Sequence, residues 1–203
     1  MIDITIPVRE GVAVWPGDTP YRMVWNMRQE DGDSVNLGTV TMSFHTGTHA
    51  DAPVHFLPEG DGIAACDLTA YCGPAVVVDV TGCCLIRLQT LMATDLMDAK
   101  RVLFKTSAWP DHTTFPPAVP VMEQGVPAYL SRQGVVLVGV DVPSVDCIDS
   151  KELPNHHALA DCGIAILESL DLRSVSAGLY ELIALPLRLV GADGSPVRAI
   201  LRR

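Results

Sequence analysis

The chain has 203 residues, of which 48% are hydrophobic and 19% are charged, and its formal net charge is −10. This composition is typical of a compact protein with one domain, residues 1–203, and it excludes an intrinsically disordered chain. An acidic chain without a basic cluster is not typical of proteins that bind nucleic acid or anionic membranes, so we expect neither partner.

No run of apolar residues approaches the length that a membrane-spanning helix needs. The first six residues also lack the basic and apolar regions of a signal peptide, so we expect a cytoplasmic protein. The six cysteines include no Cys-x-x-Cys pair, and in that compartment they are expected to be free and mostly buried.

The first quarter of the chain contains two predicted strands and a loop. Residues 2–6 alternate with a period of two, which predicts a strand. Residues 14–20 are predicted to form a loop, with Trp15 near its tip. The Trp15 side chain could either cover the end of the core or contact a ligand. Residues 37–45 alternate apolar and polar side chains, which predicts a half-buried strand that delivers a histidine at its end.

Strands dominate the rest of the chain as well, and a few helices lie between them. Apolar runs predict strands at 75–80, 101–106, 135–141, 164–167, 180–189 and 198–201. Helices are predicted at 88–99 and 126–132, and residues 149–160 suit a short helical or irregular segment. The proline-rich residues 107–120 are predicted to form a long loop. The predicted class is therefore mixed α and β, rich in strands.

Three of the six histidines and an aspartate lie within eleven residues, namely His45, His49, Asp51 and His55. Neutral imidazoles and carboxylates are the ligands of zinc and manganese in hydrolases. A four-residue gap across a predicted turn can return two imidazoles to one point, where the aspartate can add an oxygen. The pattern favours a metal site at an accessible rim over a chance cluster of surface histidines.

A second group lies more than a hundred residues later. Glu168 follows the apolar strand 164–167, where a carboxylate beside the core is costly unless a cation holds it. His156 or His157 could share that cation, which predicts a second ion bridged by Asp51. Equally, the glutamate could leave the strand into solvent, and the residues alone do not decide between these two alternatives.

The sequence contains no motif of a serine nucleophile or of a nucleotide-binding enzyme. It contains no Gly-x-Ser-x-Gly motif, no phosphate-binding glycine loop and no dinucleotide fingerprint. Metal-bound water is the remaining nucleophile, because an ion lowers the pKa of water from ~16 towards ~7. A histidine that binds no metal can then transfer protons, and Asp141 and Asp146 are weaker candidates for supporting residues.

The run from His45 to His55, His-Thr-Gly-Thr-His-Ala-Asp-Ala-Pro-Val-His, resembles the signature of the metal-dependent cyclase family. Further segments are most similar to the branch of bacterial kynurenine formamidases (arylformamidases), namely 14–20, 139–146, 149–159, 166–168 and 180–188. The resemblance implies a swivelling β/β/α fold, a homodimer, and hydrolysis of N-formyl-L-kynurenine to L-kynurenine and formate in tryptophan degradation.

The resemblance also implies a set of metal ligands. His45, His49 and Asp51 would hold the first of two Zn²⁺ ions. Asp51 would bridge to the second ion, which His156 and Glu168 would also hold, and the family spacing favours His156 over its neighbour.

Two further residues receive roles from the resemblance. His55 would transfer a proton to the departing arylamine, and Trp15 would stack on the aromatic substrate. The same family also hydrolyses cyclic amides such as isatin with Mn²⁺, which is the alternative activity. A metal-binding protein without catalysis is a third possibility. The presence of His55, the expected proton-transfer residue, is evidence against it.

Overall fold

The computed structural model describes all 203 residues, which form thirteen β-strands and three α-helices. The strands are β1 (Ile2–Asp3), β2 (Arg22–Met27), β3 (Leu37–Thr41), β4 (His49–Asp51), β5 (Cys72–Asp79), β6 (Leu85–Ile86), β7 (Arg101–Lys105), β8 (Val121–Met122), β9 (Leu137–Val140), β10 (Ala165–Glu168), β11 (Gly178–Ile183), β12 (Gly194–Pro196) and β13 (Ile200–Arg202). The helices are α1 (Leu88–Met92), α2 (Val126–Arg132) and α3 (Pro154–Asp161).

Nine strands form one sheet in the order β1-β13-β11-β5-β7-β9-β10-β4-β12. Its centre, from β5 to β10, is parallel, and the flanking strands run antiparallel to their neighbours. Parallel strands covered on both faces carry continuous apolar runs. The run 75–80 was predicted on this basis, and residues 75–78 are buried in β5, which confirms it.

Two apolar clusters cover the two faces of this sheet. One cluster of 24 buried residues includes one leucine from each helix, namely Leu91, Leu130 and Leu159. The sheet curls around the other cluster, whose 20 residues come from both flanks, for example Ala50 of β4 and Leu182 of β11. The predicted mixed, strand-rich α/β class is confirmed.

The predicted helices are confirmed to different extents. Helix α2 has the predicted bounds, whereas α1 ends at Met92 instead of residue 99. The Asp95 carboxylate accepts a hydrogen bond from the backbone N–H of Met97, and both Met97 and Asp98 have a positive φ. This local bonding of an aspartate to the backbone competes with the helix and ends it early.

Strands β2 and β3 form a separate two-stranded ribbon. The prediction of a half-buried strand over 37–45 is wrong in length and in burial, because β3 ends at Thr41 and all five of its residues are exposed. Val40, for example, is 51% exposed. Alternation of apolar and polar residues predicts burial only where another layer covers the apolar face, and no layer of this chain covers the ribbon.

Three observations concern accessibility. None of the helices has the length and apolarity to cross a membrane. All six cysteines are free, as predicted, but the expectation that most are buried is wrong. Four of them are exposed, namely Cys72, Cys83, Cys84 and Cys147.

Candidate metal centre

Strand β4 carries two of the predicted ligands, where the sequence predicted a turn. His49 and Asp51 are two residues apart, so they share one face of the strand. Both are buried, at 1% and 4% exposure, rather than accessible at a rim. The His49 Nδ1 atom lies 2.8 Å from the Gly47 carbonyl, which suits a donated hydrogen bond and directs Nε2 towards Asp51.

His45 completes the first group from the turn before β4. Its Nδ1 atom lies 3.0 Å from Asp51 Oδ1, and the His49 Nε2 atom lies 3.3 Å from the same oxygen. One donor atom from each of these three residues fits within a mutual distance of 4.8 Å. Two imidazoles and a carboxylate at such distances can hold a divalent ion with an open coordination position.

The second group joins Asp51 to residues of β10 and α3. The His156 Nε2 atom lies 3.5 Å from Asp51 Oδ2 and 3.5 Å from Glu168 Oε1. Glu168 does not leave its strand into solvent, since it is buried and its Oε1 accepts a hydrogen bond of 2.9 Å from the Val145 backbone. His157 instead packs against Phe56, outside the group.

The buried polar atoms of these groups fit two cations. His49 Nε2 and both carboxylate oxygens of Asp51 are buried and have no hydrogen-bond partner. An unpaired buried polar atom costs about 1–3 kcal/mol, so such a cluster calls for a bound cation. Asp51 faces the first group through Oδ1 and the second through Oδ2, which is the arrangement of a bridging carboxylate.

The carboxylates of the centre raise the pKa of its buried histidines. Burial lowers the pKa of His49, but the Asp51 and Glu168 carboxylates outweigh burial and raise the pKa to about 10. Burial likewise opposes charge on His156, yet Asp146, Asp51 and Glu168 raise its pKa to about 12. In the absence of an ion, protons therefore occupy the places where a cation would be held.

Asp146 positions His156 from the loop after β9. Its Oδ2 atom lies 2.7 Å from His156 Nδ1, and its carboxylate also accepts hydrogen bonds from the backbone N–H groups of Asn155 and His156. One carboxylate thus satisfies the first turn of α3 and holds the imidazole with Nε2 towards Asp51. The sequence indicated Asp146 only weakly as a supporting residue.

A cavity of about 420 Å³ opens onto this centre and has an aromatic wall. Trp15 is 39% exposed at its rim and meets Phe115 edge-on, with ring centroids 5.2 Å apart. Trp109 also lines the cavity and donates a hydrogen bond from Nε1 to the Thr114 carbonyl. The sequence predicted Trp15 in a loop but did not single out Trp109 or Phe115, whose only signal was aromatic residues in a proline-rich loop.

Asp141 supports this aromatic wall and does not reach the metal groups. It is buried just beyond the end of β9, where burial raises its pKa. Its carboxylate accepts hydrogen bonds from the backbone N–H groups of Thr106 and Ser107, which start the loop that carries Trp109. His112 packs against Trp109 and does not line the cavity.

His55 lines the cavity next to the first group without belonging to it. It ends the short 3₁₀ helix Pro53–His55, and its ring stacks on that of His45 with centroids 4.0 Å apart. Burial lowers the pKa of His55, so the imidazole is neutral near pH 7. The Asp193 Oδ2 atom lies 3.4 Å from His55 Nδ1 and 3.2 Å from His45 Nε2. Asp193 was not predicted from the sequence, where its only signal is the run Gly-Ala-Asp-Gly-Ser-Pro at 191–196, which is typical of a turn.

Comparisons with known proteins agree with this geometry. A family model described as "Putative cyclase" matches residues 2–147. A kynurenine formamidase of Geobacillus thermodenitrificans is 52% identical over 204 residues, which cover 100% of this chain and 97% of the relative. A kynurenine formamidase of Bacillus cytotoxicus is 47% identical over 201 residues, covering 99% of this chain and 96% of the relative.

Solved structures share the fold. One described as a predicted metal-dependent hydrolase from Bacillus stearothermophilus has a TM-score of 0.82 at 28% identity, covering 98% of this chain and 96% of that one. Isatin hydrolase A from Labrenzia aggregata has a TM-score of 0.82 at 22% identity, covering 98% and 92%. The family match and the full-length relatives show that this chain belongs to the cyclase family, as a hydrolase.

Proposed function

We propose that this chain is an arylformamidase, which hydrolyses N-formyl-L-kynurenine to L-kynurenine and formate in tryptophan degradation. The observation that carries the proposal is the position of two ligand groups, sharing Asp51, beside a cavity with an aromatic wall. The kynurenine formamidases that align with the whole chain support this substrate. Residues 1–203 would act as one metal-hydrolase domain.

The proposed cofactor is a pair of Zn²⁺ ions, and Mn²⁺ suits the same donors. His45, His49 and Asp51 would hold one ion, and Asp51, His156 and Glu168 the other. When bound, the ions would polarise the formyl carbonyl and activate water. The unpaired buried atoms of His49 and Asp51 support this assignment, because a cation would satisfy them.

His55 is the proposed proton-transfer residue. Hydrolysis of a formamide breaks a C–N bond stabilised by resonance, and the departing arylamine needs a proton. His55 lines the cavity, is neutral near pH 7 because burial lowers its pKa, and keeps 34% of its side chain exposed. It can therefore accept a proton from water and deliver it to the leaving nitrogen.

The substrate ring would lie against the aromatic wall, with Trp15 stacked on it. A volume of about 420 Å³ is in the range of cavities that hold small ligands. Aromatic pairs gain about 0.5–1.5 kcal/mol beyond the burial of their area, which favours an aryl formamide over an aliphatic one.

We also propose that the chain works in the cytoplasm as a homodimer. The homodimer is what the resemblance to bacterial formamidases implies, and the cytoplasm is the compartment expected from the sequence. The ribbon of β2 and β3 supports an association, because it exposes apolar side chains such as Trp25, Leu37 and Val40. Light scattering coupled to size-exclusion chromatography would test this, and a monomer at every concentration would contradict it.

The proposed activity is tested by measuring formate release from N-formyl-L-kynurenine by one preparation, before and after removal of metal with a chelator. We expect turnover that chelation abolishes and added Zn²⁺ restores. The same preparation is assayed with isatin, because solved isatin hydrolases share this fold. Turnover of isatin without turnover of the formamide would overturn the proposal in favour of the cyclic amide.

A further inference from the structure

We infer that Asp193 is a positioning residue that orients two histidines with a single oxygen atom, one histidine from the metal centre and one for proton transfer. The inference rests on the roles proposed above for His45 and His55. It concerns a residue that the sequence motif does not contain. The Asp193 Oδ2 atom lies between the two imidazoles, at 3.2 Å from His45 Nε2 and 3.4 Å from His55 Nδ1.

For His45, the consequence is a defined tautomer. The two nitrogens of its ring face two different carboxylates, Nδ1 towards Asp51 and Nε2 towards Asp193. A proton on Nε2 is stabilised by Asp193, and Nδ1 is then free of hydrogen and able to bind a cation. Outer carboxylates that hold histidine ligands in this way also make the imidazole a stronger donor.

For His55, the same Asp193 oxygen faces Nδ1, whereas in His45 it faces Nε2. A proton on Nδ1 faces Asp193, so the free electron pair lies on Nε2. The neutral ring can then accept a proton only at Nε2 and deliver it from the same atom. The ring of His55 also stacks on that of His45, with centroids 4.0 Å apart and planes 31° apart, so one carboxylate aligns both rings.

Backbone contacts fix the position of Asp193 beside β4. The Asp193 carbonyl accepts a hydrogen bond of 2.9 Å from Ala52, the residue that follows β4. The next residue, Gly194, is the register partner of Asp51. A Cβ atom at Gly194 would lie 2.9 Å from His45 Cε1, so glycine is what allows the ring to approach the strand. The Asp193 side chain is 45% exposed, which suits an orienting role without a folding role.

The test compares Asp193→Ala with Asp193→Asn. Loss of an outer carboxylate costs roughly 10–100-fold in metal affinity or activity. For Asp193→Ala we therefore expect a fall in kcat of this size with little change in KM, together with faster loss of metal to a chelator. Asp193→Asn keeps a carbonyl oxygen that can accept from both imidazoles, so it should recover most of the lost kcat. Asp161→Ala, an exposed aspartate at the end of α3, is the control.

Two further measurements separate positioning from substrate binding. The kcat defect of Asp193→Ala should persist with formanilide, a neutral aryl formamide, if the carboxylate orients histidines. A higher KM confined to the zwitterionic kynurenine substrate would instead make Asp193 a substrate contact and overturn the inference.

The second measurement is ¹⁵N NMR of the histidine rings, which reports the tautomers without any substrate. We expect Asp193→Ala to shift His55 away from the Nδ1–H form. Unchanged tautomers and unchanged metal retention would also overturn the inference. If instead the unaltered protein fails to hydrolyse N-formyl-L-kynurenine, the proposed function fails, while the NMR and metal measurements still decide the role of Asp193.

Discussion

Glu168 of β10 and His49 of β4 are register partners on adjacent antiparallel strands, although 118 residues lie between them along the chain. Their side chains project on the same face, and His49 Nε2 lies 3.5 Å from Glu168 Oε2. The two proposed ion sites are therefore joined both by the Asp51 carboxylate and by the pairing of two strands.

Asp51→Ala should abolish binding of both ions, because Asp51 supplies one oxygen to each group. Glu168→Ala should mainly weaken the ion of the second group, since Glu168 is a proposed ligand of that group alone. Metal analysis by mass spectrometry of fully loaded proteins measures both effects, with Asp161→Ala as a control. A single ion in the unaltered, fully loaded protein would refute the binuclear assignment.

His55→Ala should lower kcat by about 10²–10⁴-fold, the usual contribution of a positioned acid or base. Metal content should stay unchanged, because His55 stands outside both proposed ligand sets. Steady-state kinetics and metal analysis of the same samples test the two statements together. His112→Ala is the matched histidine control, as His112 does not line the cavity. Full activity of His55→Ala would show that another group moves the proton.

Trp15→Ala should raise KM for the aryl formamide by about 2- to 10-fold, which corresponds to the 0.5–1.5 kcal/mol of an aromatic pair. The fold should tolerate the change, because Trp15 is 39% exposed. Trp15→Phe keeps an aromatic face and should retain most of the affinity. An unchanged KM in Trp15→Ala would assign the substrate ring to a different part of the wall, such as Trp109.

Binding of Zn²⁺ at pH 7 should release protons, and the apparent affinity should rise with pH. The carboxylates raise the pKa of His49 to about 10 and that of His156 to about 12, so both are protonated in the metal-free protein, whereas a metal needs neutral imidazoles. Calorimetry in buffers of different ionisation enthalpy counts these protons. Zinc binding without proton release would contradict the charge state assigned to the centre.

The same shifts have a consequence for the metal-free fold. Since the pKa of His49 is raised on folding, its pairs with carboxylates stabilise the metal-free protein fully below pH 6.5, the unfolded value. This contribution is lost as the pH rises through about 10. Thermal unfolding of the metal-free protein between pH 7 and pH 10.5 should therefore show a declining Tm, and zinc should reduce the decline.

Asp146→Ala should lower the free energy of unfolding of the metal-free protein by about 2 kcal/mol, because it leaves buried backbone N–H groups of α3 unpaired. It should also weaken the second ion, since the His156 ring loses the partner of its Nδ1 atom. Urea unfolding measures the first effect and zinc titration the second. Asp149→Ala removes an exposed aspartate from the same loop and should change neither quantity.

Residue spacing along the chain predicted those helices and strands that depend on neighbouring residues alone. The bounds of α2 match the prediction, because apolar spacing and the nearby Gly134 decide them, and β10 lies within one residue of the predicted strand 164–167. The predicted strand 37–45 was wrong, since alternation does not show whether any layer covers β3. The strand β4 was missed because three residues with two polar side chains look like a turn, and only pairing with β10 and β12 makes them a strand.

By itself, the sequence determined the donor chemistry: histidines and an aspartate spaced closely enough to meet, and the resemblance to a family of metal hydrolases. It did not decide whether Glu168 binds an ion or points into solvent, and it did not identify Asp193, Trp109 or Phe115 as residues near the site. Only the tertiary structure decided these, because they approach His45, His49 and His55 through strand register and loop position. Contacts between residues more than a hundred positions apart depend on which strands pair, and no local spacing records that choice.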